Sequence, residues 1–229
     1  MLLVHGLSAY SGAWWRVGSR LAERGCTVVA PDLRGHGNSP STESYTFDEM
    51  AADVASLGEN WDLIVGHSLG GPIACVLAAQ ARACRAVLLL DPLLDAPDAD
   101  FDGLLDELLS ELDPHATAES IAGQQPSWHR EDCFHKAISA RLTSRHVVEQ
   151  CLRDNVPFHH LGLLDRLDVP VTILGSDPVA GALFPPESMG EIGNPLVSYQ
   201  MVDGAGHSLQ RERPDIIVDA AIALMRPPV

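Results

Sequence analysis

The chain has 229 residues, 46% of them hydrophobic and 20% charged, enough to bury roughly 70–75% of its extended surface within one domain. Its formal net charge of -16 argues against nucleic acid and anionic membrane surfaces as partners. No apolar run approaches the ~18 residues of a membrane span, and Met1–Gly6 has neither the basic nor the apolar region of a signal peptide. The five cysteines (Cys26, Cys75, Cys84, Cys133, Cys151) are odd in number and form no C-x-x-C, so a reducing, cytoplasmic setting is expected.

In chain order, Leu2-Leu3-Val4 reads as a short buried strand ending at His5-Gly6-Leu7-Ser8, with His5 a structural histidine. Trp14 to Arg24 carries a helical pattern, with Trp14, Val17, Leu21 and Ala22 on one face and Gly25 as its stop. Thr27–Ala30 is the next expected strand. The loop Pro31-Asp32-Leu33-Arg34-Gly35-His36-Gly37-Asn38-Ser39 follows, with Asp32 and Arg34 holding it together and His36 structural. Phe47 to Leu57 is an amphipathic helix with Phe47, Met50, Ala51 and Val54 on its stripe.

The apolar run Leu63-Ile64-Val65 leads into Gly66-His67-Ser68-Leu69-Gly70-Gly71, and the small-residue run Pro72–Ala79 leads out as a helix. A strand turning this sharply into a helix places Ser68 at the apex in strained backbone, with glycines where a Cβ would clash. Its hydroxyl then stands at a helix N-terminus, where unpaired N–H groups favour developing negative charge. Ala86–Leu90 is a near-continuous apolar run, as expected of a parallel strand buried on both faces. From Pro92 to about Asp168 the strand–helix alternation stops. Leu104, Leu105, Leu108, Leu109 and Leu112 make an apolar stripe flanked by Asp98, Asp100, Asp102, Asp106, Glu107 and Glu111, a solvated helix face without the spacing of a calcium loop. Helices are expected near Glu131–Arg141 and Ser144–Asp154. His159-His160 lacks a partner motif, so no metal and no cofactor is expected. Val171–Gly175 and a segment within Pro195–Val202 are the last strands. Asp203-Gly204-Ala205-Gly206-His207-Ser208 is a tight loop presenting a histidine, and Pro214 opens a final helix to about Met225.

Gly66-His67-Ser68-Leu69-Gly70 has the G-x-S-x-G form of a nucleophile elbow, and here the chain resembles the α/β-hydrolase superfamily from Leu2 to Met225. The resemblance implies a mostly parallel sheet flanked by helices, with residues 1–91 and 169–229 as the core and 92–168 as a helical cap inserted after the sixth family strand. Relatives usually carry two strands before the His-Gly strand, and this chain starts directly on it, so the expectation is either a fold trimmed at that edge or a truncated start. In the trimmed case the first two family strands are missing and Thr27–Ala30 would be a sheet edge, covered or paired in a homodimer. The resemblance assigns the oxyanion hole to the backbone N–H groups of Leu7 and Leu69. Trp128, Phe134, Phe158 and Leu161 could roof the pocket or form cap core.

A serine hydroxyl needs a base in reach, and the base an orienting carboxylate. His207 is the expected base, in the superfamily's order Ser…Asp…His. Two acids compete: Asp177, after the strand that usually carries it, is favoured, and Asp91, at the tip of the strand after the elbow helix, is the rival. The expected activity is hydrolysis of a carboxylic ester or lactone of a small, fairly apolar molecule. C–C bond hydrolysis, acyl transfer, cofactor-free peroxidation, or small-molecule binding without turnover are the alternatives. A serine at the elbow speaks against haloalkane dehalogenases and epoxide hydrolases, which carry an aspartate there.

Overall fold

Five short apolar runs pair side by side and in parallel, in sheet order equal to chain order: β1 (Leu2–Val4), β2 (Ile64–His67), β3 (Val87–Leu90), β4 (Val171–Gly175) and β5 (Val197–Met201). The computed structural model describes residues 1–96 and 101–225. Strand side chains alternate between the two faces, so each strand feeds two cores. Leu2, Val4, Ile64, Val87, Leu89, Val171 and Ile173 belong to one buried cluster; Leu3, Val65, Leu88, Leu90 and Leu174 belong to the other.

Helices cover both faces. In chain order they are α1 (Trp15–Glu23), α2 (Phe47–Ala55), α3 (Gly70–Ala78), α4 (Phe101–Ser110), α5 (Ala118–Gln124), α6 (Arg130–Leu142), α7 (Arg145–Asn155), α8 (Leu209–Glu212) and α9 (Pro214–Met225). The helices α2 and α3 pack with the first cluster; α1 and α9 pack with the second. Phe47, Met50, Ala51 and Val54 are buried on α2 as the periodicity predicts, and Thr46 caps that helix by accepting from Glu49 N. On α1 the buried residues are Val17 and Leu21, with Trp14 buried just before the helix, while Ala22 is exposed.

The expected strand at Thr27–Ala30 is reduced to a single bridge, Leu2 to Val29. Val29 N–H donates to Met1 O and its carbonyl accepts from Leu3 N–H, and the ladder stops there. Pro31 has no N–H to continue it, and β1 offers only three residues to pair with.

Between β3 and β4 the chain is helical, from α4 through α7 to a 3-10 turn at Leu161–Arg166. Asp98 and Asp100, from the acidic run, lie outside the described residues. Leu104, Leu105 and Leu108 of α4 pack partly buried against the first core cluster, and α4 packs on α7. No helix among the described residues is long and apolar enough to cross a membrane.

Candidate active site

The turn from β2 into α3 holds Ser68 in the left-handed region, at φ +52°. That conformation is costly for a residue with a Cβ and persists only where the surroundings enforce it. Here they do. Ser68 N–H donates to Leu90 O, and Ser68 O accepts from Gly71 N–H and Leu93 N–H. A Cβ on Gly66 would collide with the Gly70 carbonyl, and one on Gly70 with the Val4 carbonyl, so both positions require glycine. Among the described residues the amides of Leu7 and Leu69 have no hydrogen-bond acceptor. Leu7, Ser68 and Leu69 all line one cavity of about 770 Å³, which is bordered by the end of β2, the turn into α3 and side chains of α4 to α7.

His207 lies on the loop after β5 and lines the same cavity. Its Nδ1 sits 2.7 Å from Asp91 Oδ2. Asp91 is fully buried at the end of β3, with φ +41°, and accepts from Leu183 N–H (2.9 Å) and Phe184 N–H (3.0 Å) as well. Burial alone raises the pKa of Asp91. The hydrogen bond and charge of His207 and the two amides lower it further than burial raises it, so the group stays ionised below the ordinary carboxylate range. A carboxylate at Nδ1 makes that nitrogen the donor and leaves Nε2 as the basic atom. Among the described residues Ser68 Oγ and His207 share the cavity wall without a hydrogen bond between them. Catalytic hydrogen bonds of this kind commonly tighten only with substrate bound.

Asp177, the favoured acid in the sequence reading, does not face His207. Its Oδ1 accepts from Val179 N–H and its Oδ2 from Gly204 N–H, both at 2.9 Å. The amide of Gly204, followed by that of Val179, holds its pKa below the usual value. Asp177 therefore caps the turn at Pro178–Ala180 and ties it to the His207 loop, which its own N–H reinforces by donating to Ala205 O. Asp followed by Pro is an N-cap signature, the one local sign that this carboxylate is engaged by backbone.

His5 bridges its own turn and the next loop, with Nδ1 at 2.8 Å from Gly6 O and Nε2 accepting from Leu33 N–H at 3.0 Å. Asp32 accepts from Ser11 and Asn38 amides, and Arg34 pairs with Asp53 rather than with Asp32. His36 is buried and its Nδ1 lies 2.9 Å from Arg34 O. His159 meets Asp95, and His160 meets the Asn155 carbonyl. Of the four aromatic and apolar roof candidates only Trp128 lines the cavity. Phe134 is exposed on the outer side, and Phe158 and Leu161 are core.

Three cavity residues escaped the sequence reading. His67 Nε2 donates to the His207 carbonyl at 2.9 Å, and the rings stand 4.8 Å apart. Burial, and then the neighbouring His207, push its pKa well down, so it is a neutral donor. Arg211 and Lys136 also line the cavity, from α8 and α6. No local motif marks any of them, since each acts through distant partners.

The chain is 34% identical over 132 residues to Lipase LipV of Mycobacterium tuberculosis, an alignment that spans 54% of this chain and about half (50%) of the lipase. It is 28% identical over 253 aligned positions to a non-heme chloroperoxidase of Streptomyces lividans, covering 97% of this chain and 90% of that protein. Among solved structures, E-2-(acetamidomethylene)succinate hydrolase superposes with a TM-score of 0.81 at 22% identity, over 98% of this chain and 90% of that one. A thermophilic esterase of Thermogutta terrifontis superposes at 0.74 with 24% identity, over 98% and 88%. These structural likenesses carry the fold alone. Residues 1–220 match the profile of the alpha/beta hydrolase family, and the chain belongs to that family.

Proposed function

We propose that this protein is a serine hydrolase that cleaves a carboxylic ester or lactone of a small molecule through an acyl-enzyme. The observation that carries the reading is the buried Asp91 carboxylate on His207 Nδ1, beside a serine held at φ +52° in one cavity. In this mechanism Ser68 Oγ attacks the carbonyl carbon and His207 Nε2 takes its proton. The N–H groups of Leu7 and Leu69 stabilise the oxyanion. The C–O bond to the leaving group breaks, and the alkoxide departs with the proton from Nε2. Water, deprotonated by Nε2, then attacks the acyl carbon and releases the acid and Ser68. Asp91 orients the imidazole and offsets its transient positive charge. Residues 92–168 act as a cap whose α4, α5 and α6 side chains shape the pocket. The likeness to a lipase over about half of its length supports ester chemistry.

The test is turnover of p-nitrophenyl esters of short to medium chain by the wild type and by Ser68→Ala. Loss of turnover to background in folded Ser68→Ala is the expected outcome. Equal rates in the two proteins would refute Ser68 as nucleophile, and product analysis separates hydrolysis from acyl transfer.

A further inference from the structure

Arg211 is an anomaly in this cavity. It lines the wall on α8, four residues after His207, and is only 6% exposed. Its guanidinium lies over the Trp128 ring, 4.8 Å from the centroid. Of its five donors, one is used: Nη1 reaches Ser208 Oγ at 3.0 Å. Nε is buried without a partner, and Nη2 makes no hydrogen bond among the described residues. The carboxylates whose fields reach it are committed elsewhere. Asp132 accepts from Trp15 Nε1 and Arg16 Nη2. Glu111 holds Lys136 Nζ at 2.6 Å, and Glu212 accepts from Gly206 N–H. No described carboxylate lies within ion-pair distance of Arg211.

With Nε sealed from the cavity, the two Nη groups remain, one Nη1 hydrogen being spent on Ser208 Oγ; end-on, they are the pair that grips a carboxylate through two parallel hydrogen bonds. A buried charge left without such a partner is costly, which makes a ligand carboxylate the missing counterpart. We infer that Arg211, stacked on Trp128, is the anchor for a free carboxylate on the substrate, so that the molecule cleaved at Ser68 is a half-ester or lactone acid carrying one anionic group. The charge count limits it to one. Lys136 is already neutralised by Glu111, and Glu107, Asp113 and Glu212 also line the cavity. This substrate class rests on the hydrolase reading for its kinetics, whereas carboxylate binding stands apart from it.

Two measurements test it. The first is binding of the monomethyl esters of succinate, glutarate and adipate to Ser68→Ala, followed by ligand-observed NMR, with the Ser68→Ala/Arg211→Met double variant alongside. Ser68→Ala is expected to bind one chain length best, and Arg211→Met to weaken it roughly ten- to hundredfold, the range of a charge-assisted hydrogen bond. No binding to Ser68→Ala, or binding unchanged by Arg211→Met, overturns the inference. Should Arg211→Met fail to fold by circular dichroism, Arg211→Lys keeps the charge and loses the fork, and at least about a tenfold weakening is expected. The second measurement is hydrolysis of the monomethyl esters of the three diacids against methyl butanoate, pentanoate and hexanoate, by the wild type. A higher kcat/KM for the anionic series supports the inference, and equal or reversed preference overturns it. Half-ester binding that depends on Arg211, together with no ester turnover, would keep the anchor and sink the hydrolase reading instead.

Discussion

Replacing Asp91 by Asn tests the site most sharply, because Asp177 offers a matched control one strand away. Asn at position 91 keeps the shape but presents an NH2 group either toward His207 Nδ1 and Leu183 N–H, which share Oδ2, or toward Phe184 N–H on the Oδ1 side. In either orientation a donor faces a donor. The imidazole relieves the clash by moving its proton to Nε2, which then cannot take the proton of Ser68. The side chain is fully buried, so no water restores the lost charge as imidazolium develops. Loss of the orienting carboxylate in a triad costs about 10⁴-fold in kcat, or about 5 kcal/mol of transition-state stabilisation. A buried donor left unpaired also costs ~1–3 kcal/mol of stability, so melting is measured beside activity. Asp177→Asn keeps one of its two backbone amides and leaves His207 Nδ1 untouched, and kcat/KM should fall less than about tenfold. The assay is kcat and KM for p-nitrophenyl butanoate on folded variants, with a pH profile for each. An Asp91→Asn enzyme retaining more than about a tenth of wild-type kcat, or an Asp177→Asn loss as large as that of Asp91→Asn, would refute the assignment.

Acid stability depends on a buried histidine. Burial, then the neighbouring His36, lower the pKa of His5 to about 3 in the folded chain, against 6.5 unfolded. The unfolded state thus binds more protons between those values, so stability is full above pH 6.5 and falls as pH drops below it, by about 1.4 kcal/mol per pH unit for this group. Urea unfolding at pH 7.5, 6.5 and 5.5 should show this slope, and His5→Gln should lower it by about one proton; an unchanged slope would refute the neutral His5 that accepts from Leu33 N–H. Thiol chemistry gives a second check. Cys75, Cys133 and Cys151 are buried, and burial pushes Cys75 up to about 12, whereas Cys26 and Cys84 are half-buried. Ellman's reagent at pH 7.5 should label no more than two thiols in the native protein and all five in urea.

What could be read from the chain alone was local. The apolar runs at Leu2–Val4, Ile64–Val65, Val87–Leu90 and Val171–Leu174 read as strands, and the run ending at Leu90 as one buried on both faces. Gly66 and Gly70 marked a turn where a Cβ does not fit, and Ser68 between them stands in the left-handed region they make possible. These follow from sterics and side-chain period within a few residues, which sequence carries directly. The tertiary structure decided whatever depends on partners far apart in the chain. Asp91 and Asp177 both stand at strand tips on the same sheet edge, and only the loop around Phe184 and the turn at Val179 determine which carboxylate is left to meet His207. Thr27–Ala30 had a strand's composition, but pairing needs a neighbour of matching length, and β1 supplies three residues. Arg211 looks in sequence like one more surface charge, and its isolation exists only because α6 and α8 bury it against Trp128 while every nearby carboxylate is held by another donor. Strand, turn and cap are short-range consequences of covalent geometry; the allocation of buried hydrogen bonds among competing groups is settled only when the whole chain has packed.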